Sequence, residues 1–203
     1  MTTIYLMRHG QTYFNLWHKI QGWVDSPLTE EGINQAKEMG RYFKENNIHF
    51  DKAYASTAER ASDTLELATD HQLPYKRLKG LKEEYFGSFE AEDERLNLPV
   101  PYGDFFVKYG GESTDQVRKR MLDTMTKIGR ENKANENVLV VSHAGAIFNF
   151  LVAVDIDIEK VFKIGETVAR AYISLDSDTD DIKMSYGSAT SSRRESNTLD
   201  YGQ

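Results

Sequence analysis

Short apolar runs alternate along this chain with longer stretches of helical periodicity. Thr3-Ile4-Tyr5-Leu6-Met7 is β-prone and halts before Gly10, which predicts a strand followed by a turn. Thr29 followed by Glu30 and Glu31 reads as a helix N-cap with two carboxylates in the first turn; Ile33, Ala36, Gly40 and Phe43 carry that helix to about Asn47. Ala53-Tyr54-Ala55 predicts a second strand, with Ser56-Thr57 as the cap of a helix bearing Ala61, Leu65 and Ala68. A third strand is expected over Tyr75 to Leu78. The longest helical pattern, Glu112 to Arg130, sets Val117, Met121, Thr124 and Ile128 on one face. The unbroken apolar run Val138 to Val141 predicts a strand buried on both sides, and Ala144 to Val154 the helix after it. Ala169 to Leu175 and Ile182 to Tyr186 are expected as late strands.

Repeated strand–helix alternation argues for an α/β fold, one three-layer α/β/α domain around a mainly parallel sheet. The expected limits are 1–187 for the domain and 188–203 for a flexible tail rich in Ser, Thr and charge. Residues 88–111 break the pattern. Pro99, Pro101, Gly103, Gly110 and Gly111 lie there with Phe105, Phe106 and Tyr109, which predicts an insertion or lid.

Composition narrows the chemistry. At 203 residues the chain can bury a full core unaided, and it has no cysteine. Disulfides, cysteine–zinc sites, iron–sulfur clusters and thiolate nucleophiles are thereby excluded. A net charge of −7 argues against nucleic acid or an anionic membrane as partner. No signal-peptide core or plain membrane span is visible, so a cytoplasmic protein is expected.

Two strand ends carry the candidate chemistry. The first strand runs out into Arg8-His9-Gly10-Gln11-Thr12, and the run Val138 to Val141 finishes in Ser142-His143-Ala144-Gly145. Ligands of open α/β sheets bind beyond the carboxyl ends of strands, so parallel strands ending alike would bring His9 and His143 together. The other histidines, His18, His49 and His71, lack metal-ligand spacing and read as surface residues.

These blocks resemble the histidine phosphatase superfamily, whose fold is shared with cofactor-dependent phosphoglycerate mutases. The resemblance covers roughly residues 3 to 175. Its first block is Arg8-His9-Gly10-Gln11-Thr12 with Asn15, followed by Gln21-Gly22-Trp23, Asp25, Pro27-Leu28-Thr29, Gly32 and Gln35-Ala36. Ser56-Thr57-Ala58-Glu59-Arg60-Ala61, then Leu81-Lys82-Glu83-Glu84-Tyr85-Phe86-Gly87, then Ser142-His143-Ala144-Gly145 follow in the family's order. Phe89-Glu90-Ala91 departs from the Trp-Glu-Gly that many phosphatase members carry there.

The resemblance implies a metal-independent phosphatase without cofactor, acting on a small phosphomonoester such as a sugar phosphate. It assigns the covalent nucleophile to His9, the phosphate pocket to Arg8, Arg60 and His143, and the acid to Glu83. Asn15, Gln21 and Gly22 would extend the site towards the rest of the substrate. Glu84 reads instead as a solvated charge, as do the cluster Glu92-Asp93-Glu94 and Arg118-Lys119-Arg120. Trp17 and Trp23 either wall the pocket or pack elsewhere. Phosphoglycerate mutase activity is the nearest alternative, although the chain is short for that branch. A magnesium-dependent aspartyl phosphatase would need Asp176-Ser177-Asp178 as its nucleophile motif, with too little chain after it. A phosphate-binding protein without turnover is the non-enzymatic alternative.

Overall fold

The computed structural model describes residues 2–154, 170–175, 182–187 and 197–198. In chain order these form β1 (Thr2–Arg8), α1 (Tyr13–Leu16), α2 (Glu30–Glu45), β2 (Lys52–Ser56), α3 (Glu59–Ala68), β3 (Tyr75–Leu78), α4 (Thr114–Glu131), β4 (Asn137–Ser142), α5 (Ala144–Ala153), β5 (Arg170–Leu175), β6 (Ile182–Gly187) and β7 (Asn197–Thr198). The strands make one sheet in the order β3-β2-β4-β1-β5-β6-β7. Its first four members are parallel; β5, β6 and β7 add on antiparallel.

The sheet is covered on both faces, and β4 shows why its sequence is apolar throughout. Val138 and Val140 point into a core with Val117, Met121, Met125 and Ile128 of α4 and Phe150 of α5. Leu139 and Val141 point the other way, against Met39 and Phe43 of α2 and Ala61 and Leu65 of α3. Side chains alternate across a strand, so a strand between two helical layers needs apolar residues at every position. The result is the expected α/β/α arrangement.

Helix starts at α1, α2 and α4 follow local chemistry, while α3 and α5 begin without a side-chain cap. Thr29 caps α2 by accepting from Gly32 N, and Ser113 forms a capping box with Gln116 at α4. Ser56 was expected to cap α3, but it ends β2; α3 begins after Ala58 without a side-chain cap. Its hydroxyl accepts from Ala58 N at 3.2 Å and pairs with His143 Nε2 at 2.8 Å. The short α1, capped by a Thr12–Asn15 box, was not expected from periodicity because four residues carry too little pattern.

Residues 88–111 hold three single turns of 3₁₀ helix with their neighbours and close on their own aromatic cluster. Phe106 is fully buried among Phe86, Phe89, Tyr102 and Phe105, packed edge to face. Ile20 N donates to Glu92 O, and Ala91 N to Ile20 O, so the segment is tied to the loop after α1. Ala91 holds a left-handed φ of 67°, a conformation that favours glycine. The expected 188–203 tail lies outside the described residues apart from β7, as does Asp176-Ser177-Asp178.

Candidate active site

Strand register assembles the site. Arg8 pairs with Ser142 at the common end of β1 and β4, and Ala55 of β2 pairs with Val141. His9, His143 and Ser56 therefore emerge at one edge of the sheet. His9 N donates to Ser142 O at 3.0 Å, and the two imidazoles meet with ring centroids 5.1 Å apart.

Their tautomers follow from their partners. His9 Nδ1 donates to Gly10 O at 2.7 Å, which leaves Nε2 as the bare nitrogen. Arg60 Nε donates to that Nε2 at 3.3 Å. Arg60 Nη2 also donates to His143 Nδ1 at 3.0 Å, so the proton of that neutral ring is on Nε2, facing Ser56. Burial, reinforced by the Arg60 and Arg8 charges, holds His9 well below the usual histidine range. Burial and Arg60 do the same to His143, so in this arrangement it accepts a hydrogen bond from the cation.

The two arginines sit very differently. Arg60 is fully buried and uses both ends of its fork: Nη1 donates to Val24 O and to Asp25 Oδ1, and Nη2 donates to Gly22 O besides His143. Arg8 is exposed, and no hydrogen bond fixes its guanidinium among the described residues. Arg60 thus aligns both rings, while Arg8 keeps all its donors for a ligand.

Glu83 faces the start of α5. Its Oε2 accepts from Gly145 N and its Oε1 from Glu84 N, both at 2.9 Å. Gly145 permits that approach, since a Cβ there would stand 2.7 Å from Glu83 Oε1. The Glu83 main chain is clamped as well: its carbonyl accepts from Trp23 Nε1 at 3.0 Å and Arg120 Nη2 at 2.8 Å. Arg120 further donates to Gly80 O and Lys82 O while pairing with Glu112. It is no solvated charge, contrary to expectation; its stem lies on α4 and its head organises the loop that carries Glu83. Glu90 is a second unforeseen anchor. Its carboxylate accepts from the backbone N–H groups of Gly22, Trp23, Val24 and Phe86.

Glu84 also departs from expectation. It is 1% exposed, and its Oε1 has no hydrogen-bond partner. Burial, with Glu83 and Glu112 adding like charge, pushes it up to about 8. Glu83 reaches Gly145 N, while Glu84 beside it is buried at the wall of the adjoining cavity instead of lying in water.

Beside the histidines lies a cavity of about 450 Å³ reached by Asn15, Gln21, Glu83 and Glu84. Asn15 Oδ1 also accepts from Thr12 N, and Gln21 Oε1 accepts from Thr12 Oγ1. Gly22 does not line it; its carbonyl holds Arg60 and its Cα packs on Glu84 O. Neither tryptophan lines it. Trp17 is 59% exposed, and Trp23 stacks on Tyr85 beneath Lys79 and Lys82. Among the described residues no three His, Asp or Glu side chains cluster as metal ligands, and no helix is long and apolar enough to cross a membrane.

The sequence pattern of the histidine phosphatase superfamily (branch 1) matches residues 4–182. The chain belongs to that superfamily. Its relatives bear two kinds of name. The 2,3-bisphosphoglycerate-dependent phosphoglycerate mutase of Lactobacillus acidophilus is 35% identical over 119 residues, 57% of this chain and 51% of the mutase. The metal-independent phosphoserine phosphatase of Arabidopsis thaliana is 35% identical over 160 residues, 72% of this chain and 66% of that protein. The crystal structure of a phosphoserine phosphatase from Entamoeba histolytica with 3-phosphoglyceric acid superposes with a TM-score of 0.72 at 27% identity, covering 93% of this chain and 98% of that one. The match spans about half the length of the Lactobacillus mutases.

Proposed function

We propose that this superfamily member is a phosphatase that hydrolyses a small phosphomonoester, such as a sugar phosphate, through a phosphohistidine on His9 and without a metal ion. The observation that carries this reading is the His9 tautomer: Nδ1 is committed to Gly10 O, and the unprotonated Nε2 faces the guanidinium of Arg60. A neutral imidazole held by cations is a nucleophile with its electrophile's charge already compensated.

His9 Nε2 attacks phosphorus as the ester P–O bond breaks, and the equatorial oxygens take the donors of Arg8 and Arg60 and, once it turns from Ser56, the Nε2–H of His143. The Arg60 Nε donor then shifts from nitrogen to phosphoryl oxygen. Glu83 is placed to pass a proton to the leaving alkoxide and then to take one from the water that attacks the phosphohistidine. Phosphate departs and both groups return to their starting state. Since His9 is held below 6.5, acid weakens the nucleophile only well under that pH.

Incubation with a phosphomonoester in excess chelator tests the reading: an acid-labile, base-stable phosphoenzyme and free inorganic phosphate are expected. Their absence, with turnover restored by magnesium, would refute it. The matches to mutases support a second reading, in which the same phosphohistidine returns its group to a phosphoglycerate. Interconversion of 2- and 3-phosphoglycerate that outpaces phosphate release would decide for it.

A further inference from the structure

The cavity beside the histidines has its own charge pattern. Glu83, Glu84 and Glu94 line it against one lysine, Lys19, with Phe86, Tyr102 and Phe148 as apolar surface. Three acceptors in it lack donors, Glu84 Oε1, Asn97 Oδ1 and Asn149 Oδ1, against one donor without an acceptor, Gln21 Nε2. Asn149 is 5% exposed, and its Nδ2 donates to Gly145 O; that bond orients the amide and leaves Oδ1 unpartnered. A buried acceptor without a donor is costly, so a ligand carrying donors gains by filling the space. The cations acting on Glu84 have other partners: Arg120 pairs with Glu112, and Arg118 pairs through Nη1 with Asp115 while its Nε has no partner.

We propose that this cavity recognises the leaving group, and that it selects phosphomonoesters of amine-bearing alcohols, with Glu84 and Asn149 Oδ1 accepting from the ammonium. This rests on the phosphatase reading above. A substrate bearing both a phosphate and an ammonium matches a site where Arg8 and Arg60 stand by the histidines and Glu83, Glu84 and Glu94 line the adjoining cavity. A leaving group bearing a carboxylate meets three carboxyl groups instead. The aromatic surface of Phe86, Tyr102 and Phe148 suits the carbon body and the face of a cation alike. An arriving ammonium also ionises Glu84, whose proton is otherwise retained by burial and by the Glu83 and Glu112 charges.

Three esters of equal size separate charge from shape: O-phosphoethanolamine, propyl phosphate and 2-phosphoglycolate carry a cationic, neutral and anionic tail. The kcat/KM of the intact protein is expected to fall in that order, by on the order of tenfold per step, mainly through KM. Glu84→Gln, which keeps the shape and removes the charge, should compress the first step to about threefold or less. An unchanged ratio in that variant overturns the assignment of Glu84. Should the variant not fold, the wild-type series still decides, since brisk hydrolysis with a flat or reversed order overturns the proposal alone. Inactivity towards all three and towards p-nitrophenyl phosphate overturns the phosphatase reading and this inference with it.

Discussion

The two ends of the cleft are built on opposite rules. At the histidine end the polar groups find partners within the protein: Arg60 binds His9, His143, Asp25, Val24 and Gly22, and His143 bridges it to Ser56. At the glutamate end Glu84 Oε1, Asn149 Oδ1 and Gln21 Nε2 are buried without partners. A saturated network holds its atoms in place before any ligand arrives, which suits a reaction governed by position and charge. Unmatched groups lower stability by themselves and acquire value only when a ligand supplies the missing half. Arg60 and Arg8 repeat this contrast on a smaller scale, the first a buried strut and the second a free fork.

The most damaging way to break the saturated end is His9→Ala. Loss of the nucleophile should reduce kcat on p-nitrophenyl phosphate by roughly 10³-fold or more and abolish the phosphoenzyme, read by stopped-assay kinetics and acid-quench labelling. The arginines should separate next. Arg60→Ala strips a buried network and isolates Asp25, so a loss of about 3–5 kcal/mol in denaturant unfolding is expected. Arg8→Ala should lower kcat/KM by about 10²-fold while Tm moves by no more than ~2 °C. Equal destabilisation by both would dissolve the distinction drawn between strut and fork.

Smaller effects are expected at the glutamate end. In Gly145→Ala the new Cβ would meet Glu83 Oε1 at 2.7 Å, so the carboxyl must turn away from Gly145 N. A loss of about tenfold in kcat with little change in Tm would mark Glu83 as acting through position. Glu84 gives a pH signature. Because its folded pKa is raised from 4.5 to about 8, its contribution to stability is fully present below about pH 4.5 and is lost as pH rises through 8. Glu84→Gln should therefore gain Tm over the wild type as pH rises from 5 to 8.5, by on the order of 10 °C, in paired calorimetric scans. A difference independent of pH would mean that the carboxyl is not held neutral. Last, Ala91→Gly relieves a φ of 67° beside the Glu90 anchor and should raise stability by less than about 1 kcal/mol.

Much of the frame was legible in the order of residues. The alternation of β4 and its flanking helices is a local pattern, and two strands ending in histidine foretold their meeting because parallel strands in register end together. Thr29 and the Glu112-to-Arg130 pattern marked helices for equally local reasons, and Thr29 also marked its cap. Ser56 shows where that logic stops: a serine before a helix is a cap by local chemistry, yet here a ring 87 residues away claims its hydroxyl. Arg120 and Glu90 were opaque for the same reason. Each is an ordinary charged residue in sequence, and each becomes a clamp only because the loop of Glu83 and the loop of Gly22 are laid against it.

Glu83 and Glu84 draw the line between the two kinds of information. Adjacency, an acid two residues after Leu81 and four before Gly87, selected Glu83 within the family's pattern, and the sequence by itself determined the superfamily, the α/β layers and the paired histidines. The environment of each carboxyl was decided by tertiary structure alone. One meets the N-terminus of α5 and two backbone donors; its neighbour is turned into a cavity wall with no donor and two like charges nearby. Patterns of period and spacing record which residues a backbone must bury or expose. The pKa and partners of a side chain depend on atoms distant in sequence, and those meet only when the sheet and its loops have closed.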